Sequence, residues 1–240
     1  RNQRTSPSEL FEKLYLMSSF KNLEKKFVFL KSLGNLSAIK AEFEAEGTRI
    51  EELAIISYLC SKHLIPLTLK IGGPCAKRDI YEAFQVGADN ILVPMVESDF
   101  ALETCFNYYN SFLSTFQSFN KHPTLSINIE TIKSFQNIDL IIKKIISLPK
   151  NVNNIVVGRS DLAKSMGIED VNSKSILDIT SQIIFKCQKN NINVTVGGSL
   201  TKYSYSFINT FNSNQLKAFE SRKCTFSRDK KLSEKSFNKL

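Results

Sequence analysis

The stretch N-I-V-V-G-R-S-D-L (Asn154–Leu162) joins an apolar run of strand length to a glycine, three polar residues and the start of a helical pattern. Similar apolar runs recur along the chain and alternate with longer segments whose apolar residues lie three or four positions apart. This alternation is typical of parallel βαβ units, in which a crossover helix follows each strand. The pattern therefore predicts an α/β fold with a parallel sheet.

The number of strand-like runs favours a closed barrel. The predicted strands are Ala38–Glu44, Leu67–Ile71, Ile91–Val96, Leu125–Ile129, Asn154–Gly158, Ile192–Val196 and Leu216–Glu220. These are seven strands, one fewer than a TIM-type (β/α)8 barrel has. We expect the missing strand to be the first, weakly patterned or truncated, and K-F-V-F-L (Lys26–Leu30) is a candidate that fits a helix equally well. An open doubly wound sheet is the alternative.

Charge is unevenly distributed along the chain. The net charge is +9 over 240 residues, and most of it lies in residues 1–26 and 222–240. A basic end of this kind is typical of solvated, flexible segments. We predict one barrel domain over residues 1–226 and a flexible basic tail over residues 227–240. Nucleic-acid binding through the tail is the alternative that charge alone offers, and because the rest of the chain has no basic stripe we predict no nucleic-acid partner.

The cysteines and the hydropathy pattern indicate the compartment. The five cysteines are widely spaced and form no C-x-x-C pair, which argues against a disulfide framework and a zinc site. No apolar run approaches the roughly 20 residues needed to span a bilayer, and no signal-peptide core is present at the start. We predict a cytoplasmic protein with reduced thiols and no membrane partner.

Polar residues at the carboxyl ends of the predicted strands are the candidates for chemistry, because the variable loops of a parallel barrel converge there. They are Glu42, Glu44, Glu46, Lys70, Glu97, Asn128, Glu130, Arg159, Asp161, Thr195, Glu220 and Arg222. Glu130 and Asp161 follow neighbouring strands and would face each other across the rim. Carboxylates suit hard cations such as Mg²⁺ or Mn²⁺. The alternative is that each residue only caps the helix that follows it.

Three motifs carry a family resemblance: P-M-V-E-S (Pro94–Ser98), I-E-T (Ile129–Thr131) and G-R-S-D-L-A-K-S-M-G (Gly158–Gly167). In order and spacing they resemble the HpcH/HpaI aldolase/citrate lyase family, which includes metal-dependent pyruvate aldolases and citrate lyase beta subunits. The resemblance spans roughly Ala38 to Phe226. It implies a TIM barrel that acts on a small oxo acid, with a coenzyme A ester as the second candidate substrate, and that assembles as a homo-oligomer, a trimer or a hexamer.

The resemblance also assigns roles to individual residues. It implies that Glu130 and Asp161 bind Mg²⁺ or Mn²⁺. It further implies that the backbone amides of Gly158, Arg159 and Ser160 hold the substrate carboxylate. A metal chelated by a 2-oxo acid polarises the carbonyl group and stabilises an enolate, so this chemistry needs no covalent nucleophile.

The chain departs from the family at two positions. Lys70 stands where the family has an arginine that steadies the enolate oxygen, and lysine keeps the charge but loses the bidentate fork. A Schiff base on Lys70 is the alternative role for this catalytic and substrate-binding candidate. Ala45 stands where the family has a proton-transferring histidine. We expect Glu44, or Glu46, to replace that histidine; otherwise these glutamates are solvated rim charges.

The sequence therefore predicts a metal-dependent carbon–carbon lyase or aldolase that acts on a pyruvate-like or oxaloacetate-like acid through a metal-stabilised enolate. The alternative is a catalytically altered barrel that binds an oxo acid or regulates another protein without normal turnover. Lys70 and Ala45 favour this alternative, whereas Glu130 and Asp161 favour the enzyme.

Overall fold

Eight strands close into one barrel, in the order β1-β2-β3-β4-β5-β6-β7-β8, in the computed structural model of the chain. The structure describes residues 7–118, 121–149, 152–228 and 237, with side chains from residue 19 onward. The strands are Leu36–Glu42 (β1), Leu67–Lys70 (β2), Asn90–Val93 (β3), Thr124–Ile129 (β4), Val152–Gly158 (β5), Asn193–Gly197 (β6), Ala218–Glu220 (β7) and Cys224–Ser227 (β8). The predicted α/β barrel is confirmed, and each predicted strand overlaps an observed one.

Helices cover the outside of the barrel and connect most of the strands. They are Pro7–Ser32 (α1), Ile50–His63 (α2), Lys77–Gln85 (α3), Asp99–Thr115 (α4), Ile132–Gln136 (α5), Ile138–Ser147 (α6), Arg159–Ser165 (α7), Lys174–Gln188 (α8) and Tyr205–Asn209 (α9), with a 3-10 turn at Lys202–Ser204. Among the described helices none is both long enough and apolar enough to cross a membrane.

The eighth strand lies at the opposite end of the chain from the position that we expected. Residues 26–30 belong to α1, where Phe27 is buried while Val28 and Phe29 are exposed, a pattern with the period of a helix. The closing strand is β8, which pairs antiparallel with both β7 and β1. Only residues 221–223 separate β7 from β8. A connection this short permits a hairpin and is far too short for a parallel crossover. The barrel therefore has seven parallel strands and one antiparallel strand.

The axis of the barrel is polar. Ser126 Oγ donates to Asn90 Oδ1 (3.0 Å), and Asn154 Nδ2 donates to Ser126 Oγ (3.4 Å). Thr195 Oγ1 continues this chain of bonds by donating to Asn154 Oδ1 (3.2 Å). The intervening residues of these strands are apolar and fully buried, for example Ile155. This alternation places the apolar core between strands and helices and leaves a hydrogen-bonded polar layer inside the barrel.

Two described residues near the end of the chain, Arg228 and Phe237, contact the barrel. Arg228 is buried, and its Nη2 donates to Asn209 Oδ1 (3.1 Å) and to the carbonyl oxygen of Phe211 (3.0 Å). The ring of Phe237 is buried with its centroid 5.5 Å from that of Phe219. The predicted domain boundary after residue 226 falls inside β8, which ends at Ser227. The rest of the predicted flexible tail lies outside the described residues.

Candidate active site

A cavity of about 550 Å³ opens at the carboxyl end of the barrel strands. Its charged lining residues are Lys40, Glu42, Lys70, Glu130, Asp161, Glu220 and Arg222. This end of a parallel barrel is where loops bring functional groups together. The structure therefore brings both predicted metal ligands and Lys70 into one cavity.

Glu130 follows β4 and is held by two hydrogen bonds. Its Oε1 accepts from the backbone N of Met95 (2.9 Å), and its Oε2 accepts from Asn128 Nδ2 (2.8 Å). Met95 has a φ of 55°, a left-handed conformation that is costly for a non-glycine residue. Burial raises the pKa of Glu130 above its ordinary value, although the Met95 hydrogen bond and the charge of Lys70 act in the opposite direction. The charged form of such a buried carboxylate is unfavourable on its own, and a neighbouring cation stabilises it.

The first two sequence motifs contact each other directly beside Glu130. Thr131 Oγ1 donates to Glu97 Oε1 (2.7 Å), so the glutamate of P-M-V-E-S fixes the threonine of I-E-T. The same hydroxyl accepts from the backbone N of Ser134 (3.1 Å) and caps α5. Because Thr131 supplies this cap and the carboxylate of Glu130 bonds to Met95 and Asn128, the capping alternative does not explain Glu130.

Gly158 lets the end of β5 lie directly against Glu130. A Cβ atom at position 158 would stand 2.8 Å from both Cβ and Oε2 of Glu130, closer than side chains can approach. Asp161 lies three residues later, in the first turn of α7, is exposed and lines the same cavity. The glycine of the third motif therefore brings the two candidate metal ligands to one wall.

The donor set fits a hard divalent cation. Besides the two carboxylates, the cavity is lined by Asn128, whose buried Oδ1 has no hydrogen-bond partner. Oxygen donors of this kind suit Mg²⁺, which commonly takes one or two protein carboxylates and completes its shell with water and substrate. Within the described ranges no group of three or more His, Cys, Asp or Glu residues could hold a metal. The candidate ligands are therefore Glu130 and Asp161, with the Asn128 oxygen nearby.

Lys70 is held as a cation at the end of β2. Its Nζ lies 2.9 Å from Glu42 Oε1. Burial acts to lower the pKa of Lys70, but the Glu42 hydrogen bond and the charges of Glu130 and Asp161 together raise the pKa above its ordinary value. A Schiff base requires a neutral amine, so this environment favours the electrostatic role over the covalent one.

Glu44 does not reach the cavity, contrary to the predicted placement. β1 ends at Glu42, and the turn that follows exposes Glu44 beside Gly72, outside the cavity lining. Ala45 lines the cavity instead, whereas Glu46 Oε2 forms an ion pair with Lys223 Nζ. β1 stops two residues earlier than the predicted strand. The alternation of side chains between the inside and the outside of the barrel therefore does not continue to Glu44.

Arg159 has a structural side chain. It is fully buried, its Nε donates to the carbonyl oxygen of Gly197 (3.0 Å), and its Nη2 donates to that of Gly198 (2.8 Å). Nη1 donates to Asn172 Oδ1 (2.7 Å), and the guanidinium carbon lies 4.6 Å from the ring centroid of Phe207. Burial lowers the pKa of Arg159 to about 10. The guanidinium group thus fixes the loop after β6, and only the backbone amide of this residue remains available to a substrate.

An Arg159→Lys variant should be less stable than the wild-type protein. Lysine keeps the charge but carries its three donors on one nitrogen, which cannot reach all the acceptors that Arg159 contacts from three separate nitrogens, so buried acceptors lose their donors. We expect the free energy of unfolding to fall by about 1–3 kcal/mol, measured by urea denaturation. Arg78→Lys, at an exposed ion pair with Glu82, is the matched control and should change little. An equal loss in both variants would contradict the structural role of Arg159.

The start of α7 presents backbone amides beside Gly198. A Cβ atom at position 198 would lie 2.5 Å from the backbone N of Ser160 and 2.7 Å from that of Arg159, and Gly198 has a φ of 83°. The first N–H groups of a helix have no partner inside the helix. The absence of a side chain at Gly198 therefore keeps open the approach to the amides that are predicted to hold the substrate carboxylate.

Sequence reasoning missed one buried ion pair of the cavity. Lys40 Nζ pairs with Glu220 Oε1, and both side chains are buried. Lys40 and Glu42 lie two positions apart in β1, so strand alternation gives them one face, and this signal was available in A-I-K-A-E. The partner was not predictable, because it depends on which strand closes the barrel beside β1.

The comparisons with known proteins concern the family and the fold. The family model for HpcH/HpaI aldolase/citrate lyase matches residues 70–198, a range that contains all three motifs. No curated protein matches the chain in sequence.

Several solved structures share the fold. An HpcH/HpaI aldolase from Desulfitobacterium hafniense DCB-2 is 11% identical with a TM-score of 0.65, over 81% of this chain and 79% of that chain. Citrate synthase SbnG is 18% identical with a TM-score of 0.61, over 77% of this chain and 76% of that chain. An HpcH/Hpal aldolase/citrate lyase family protein from Burkholderia cenocepacia J2315 is 12% identical with a TM-score of 0.57, over 71% and 74%. At these identities the likeness establishes the barrel fold alone.

Proposed function

Because the chain belongs to the HpcH/HpaI aldolase/citrate lyase family, we propose that it is a metal-dependent carbon–carbon lyase or aldolase that acts on a small 2-oxo acid. Family membership supports a lyase-like or aldolase-like activity in general. The finer proposal is carried by one observation: Glu130 and Asp161 line one cavity beside the unpartnered Asn128 oxygen. The preferred substrates are pyruvate-like or oxaloacetate-like acids, and a coenzyme A ester is the second candidate.

Glu130 and Asp161 are the residues that would hold Mg²⁺ or Mn²⁺. When bound, the cation would supply Lewis acidity toward a chelated 2-oxo acid and thereby favour enolate formation. Burial of Glu130 supports this assignment, because a buried carboxylate with a raised pKa gains most from a neighbouring positive charge.

The other residues of the cavity would orient the acid and handle charge. The amides of Gly158, Arg159 and Ser160 would receive its carboxylate, as helix starts do for anions. Lys70, kept protonated by Glu42, would stabilise negative charge that develops on the substrate oxygen.

Proton transfer needs a group other than Glu44. The cavity-lining carboxylates besides the metal pair are Glu42 and Glu220, and each is paired with a lysine. Either pair supplies a carboxylate base with a neighbouring cation to balance its charge. We therefore transfer the proposed base from Glu44 to this set.

Exchange of the methyl protons of pyruvate with deuterated water tests the proposal without knowledge of the acceptor, because enolate formation labels C3. We expect exchange, followed by NMR, with Mg²⁺ or Mn²⁺ and its loss after chelation with EDTA. Metal-dependent binding of pyruvate without exchange would instead support the second candidate function, an altered oxo-acid-binding barrel, which Lys70 and Ala45 favour. Absence of metal-dependent binding of both pyruvate and oxaloacetate would rule out an oxo acid as the ligand in either function.

Assembly as a trimer or hexamer, a cytoplasmic location and the lack of a nucleic-acid partner stay predictions. Light scattering coupled to size-exclusion chromatography tests the first. A salt-dependent nucleic-acid binding assay, with and without residues 227–240, tests the last.

A further inference from the structure

We infer that Ser165 is a positioning residue of the metal site: its hydroxyl group sets the spacing of Glu130 and Asp161 and thereby favours a small divalent cation over Ca²⁺. This inference rests on the proposed function, because it takes these two carboxylates as the metal ligands. It adds a residue that lies outside the cavity lining, and it gives the site a preference among cations.

The hydroxyl group of Ser165 joins the two chain segments that carry the candidate ligands. Ser165 is the last residue of α7, and its Oγ accepts from the backbone N of Ile132 (2.9 Å) and donates to the carbonyl oxygen of Leu162 (2.7 Å). Ile132 lies two residues after Glu130, and Leu162 directly follows Asp161. One hydroxyl group therefore connects backbone groups next to both ligands.

The short helix α7 depends on contacts of this kind. It has seven residues, and an isolated helix of that length is not stable in water. Its start is fixed where Gly158 lies against Glu130, too close for a Cβ atom at position 158, and its end is fixed where Ser165 bonds to Ile132. Asp161 lies between these two contacts. The backbone that carries Asp161 is therefore held at both ends against the segment that carries Glu130.

The segment to which Ser165 bonds is itself held in place. Glu130 Oε1 accepts from the backbone N of Met95, and Thr131 Oγ1 donates to Glu97 Oε1. Ile132 is the first residue of α5, and the first N–H groups of a helix have no partner inside the helix. Ser165 supplies that partner. Loss of its hydroxyl group should therefore loosen α7 and Asp161 and leave Glu130 in position.

The spacing of two carboxylates matters more for a small cation than for a large one. Mg²⁺ requires a nearly ideal octahedral shell with bonds of about 2.0–2.1 Å, whereas Ca²⁺ accepts irregular shells with bonds of about 2.3–2.6 Å. A loosened pair of carboxylates can still adapt to Ca²⁺, but it loses the fixed geometry that Mg²⁺ needs. The ratio of the Mg²⁺ affinity to the Ca²⁺ affinity therefore reports on the positioning role of Ser165.

Ser165→Ala tests this inference without a substrate. With Mn²⁺ binding followed by electron paramagnetic resonance of the free ion, we expect about tenfold weaker affinity, the lower end of the range for residues outside the ligand shell. Displacement of the bound Mn²⁺ by Mg²⁺ or by Ca²⁺ then gives the affinities for these two ions. The Mg²⁺ affinity should fall more than the Ca²⁺ affinity, a change of ratio that a loss of stability alone would not produce. Ser165→Thr keeps the hydroxyl group and should restore both values.

Ser147→Ala is the matched control. Ser147 is the last residue of α6, and its Oγ donates to the carbonyl oxygen of Lys144 (2.7 Å), the same local bond that Ser165 makes to Leu162. Among the described residues its hydroxyl group has no bond to a second segment, so the metal affinities should stay at the wild-type values.

The outcomes separate the inference from the proposed function. Wild-type Mn²⁺ affinity in Ser165→Ala, or an unchanged ratio of Mg²⁺ to Ca²⁺ affinity, would overturn the inference, while Mn²⁺ binding that Glu130→Gln abolishes would still support the proposed metal site. Absence of Mn²⁺ binding by the wild-type protein would refute the metal dependence of the proposed function and the inference together.

Discussion

Replacing Glu130 with glutamine should abolish metal binding and lower the rate of metal-dependent pyruvate proton exchange by more than about a hundredfold. Loss of an outer-shell partner already costs about 10- to 100-fold in metal affinity, so loss of a direct ligand should cost more. Glutamine keeps the size of the side chain but removes the charge that a divalent cation requires. Titration of Mn²⁺ by calorimetry, together with the exchange rate, measures both effects.

The same variant should fold without difficulty, which makes the test clean. Burial raises the pKa of Glu130, so the folded, metal-free protein disfavours the charged carboxylate more than the unfolded chain does. This penalty is complete above the raised pKa, shrinks as the pH falls below it and is gone below the ordinary carboxyl pKa. Metal-free Glu130→Gln at neutral pH should therefore unfold at the wild-type temperature or above it. Asn128 can rotate its amide, because its Oδ1 has no partner to lose.

Glu103→Gln provides the matched control, since Glu103 is a half-exposed member of an ion pair with Lys144 outside the cavity lining. It should bind Mn²⁺ as the wild-type protein does. The wild-type affinity for Mn²⁺ should also weaken as the pH falls through the raised pKa of Glu130, because a proton competes for the ligand. Wild-type Mn²⁺ affinity in Glu130→Gln would show that the metal site lies elsewhere.

The sequence allowed the barrel and the placement of Glu130 and Asp161 at one end of it to be predicted, because both depend on local patterns. A strand such as N-I-V-V-G is recognised from its own apolar residues, and Glu130 and Asp161 follow directly from the strand ends. The closing strand β8 was missed although a hairpin joins it to β7, because C-T-F-S contains one large apolar residue and leads into the basic end of the chain. Its pairing with β1, which lies far away in sequence, leaves no local signal.

Side-chain direction at the ends of elements was the second limit. Glu44 and Arg159 both follow strands, yet one turns outward beside Gly72 and the other is buried against the carbonyls of Gly197 and Gly198. The residue where a strand stops and the angle at which a helix starts decide these directions, and both are set by tertiary packing. Position at the end of a strand therefore does not by itself determine where a side chain points.

The buried pair Lys40–Glu220 also has a physical meaning beyond stability. Removing two charges from water costs several kcal/mol per ion, so such a pair adds little net stability compared with an apolar core. The barrel retains it in the lining of the cavity, next to a second pair formed by Lys70 and Glu42. Because these two carboxylates are paired with lysines, Glu130 and Asp161 are the carboxylates of the lining whose charge a bound cation would balance.

Gly198→Ala should lower the affinity for 2-oxo acids by about a hundredfold or more. The added methyl would stand 2.5 Å from the backbone N of Ser160, where a carboxylate oxygen must approach, and the loss of two charge-assisted hydrogen bonds is of this size. The same substitution should also lower the stability of the protein, for a separate reason: alanine at a φ of 83° is strained by about 1–3 kcal/mol.

Gly167→Ala separates the two effects. Gly167 has a φ of 67°, similar to that of Gly198, but a Cβ atom there meets nothing within 4 Å. Both variants should lose thermal stability, whereas only Gly198→Ala should lose binding of oxalate or pyruvate in the presence of Mg²⁺. Retained oxalate binding in Gly198→Ala would exclude the amides of Arg159 and Ser160 as the carboxylate site. Because the methyl group cannot stand 2.5 Å from the backbone N of Ser160, some backbone has to move, and Asp161 follows Ser160 directly. Mn²⁺ affinity without substrate therefore has to be measured in the same variant, and a wild-type value would separate substrate recognition from metal binding at this end of the barrel.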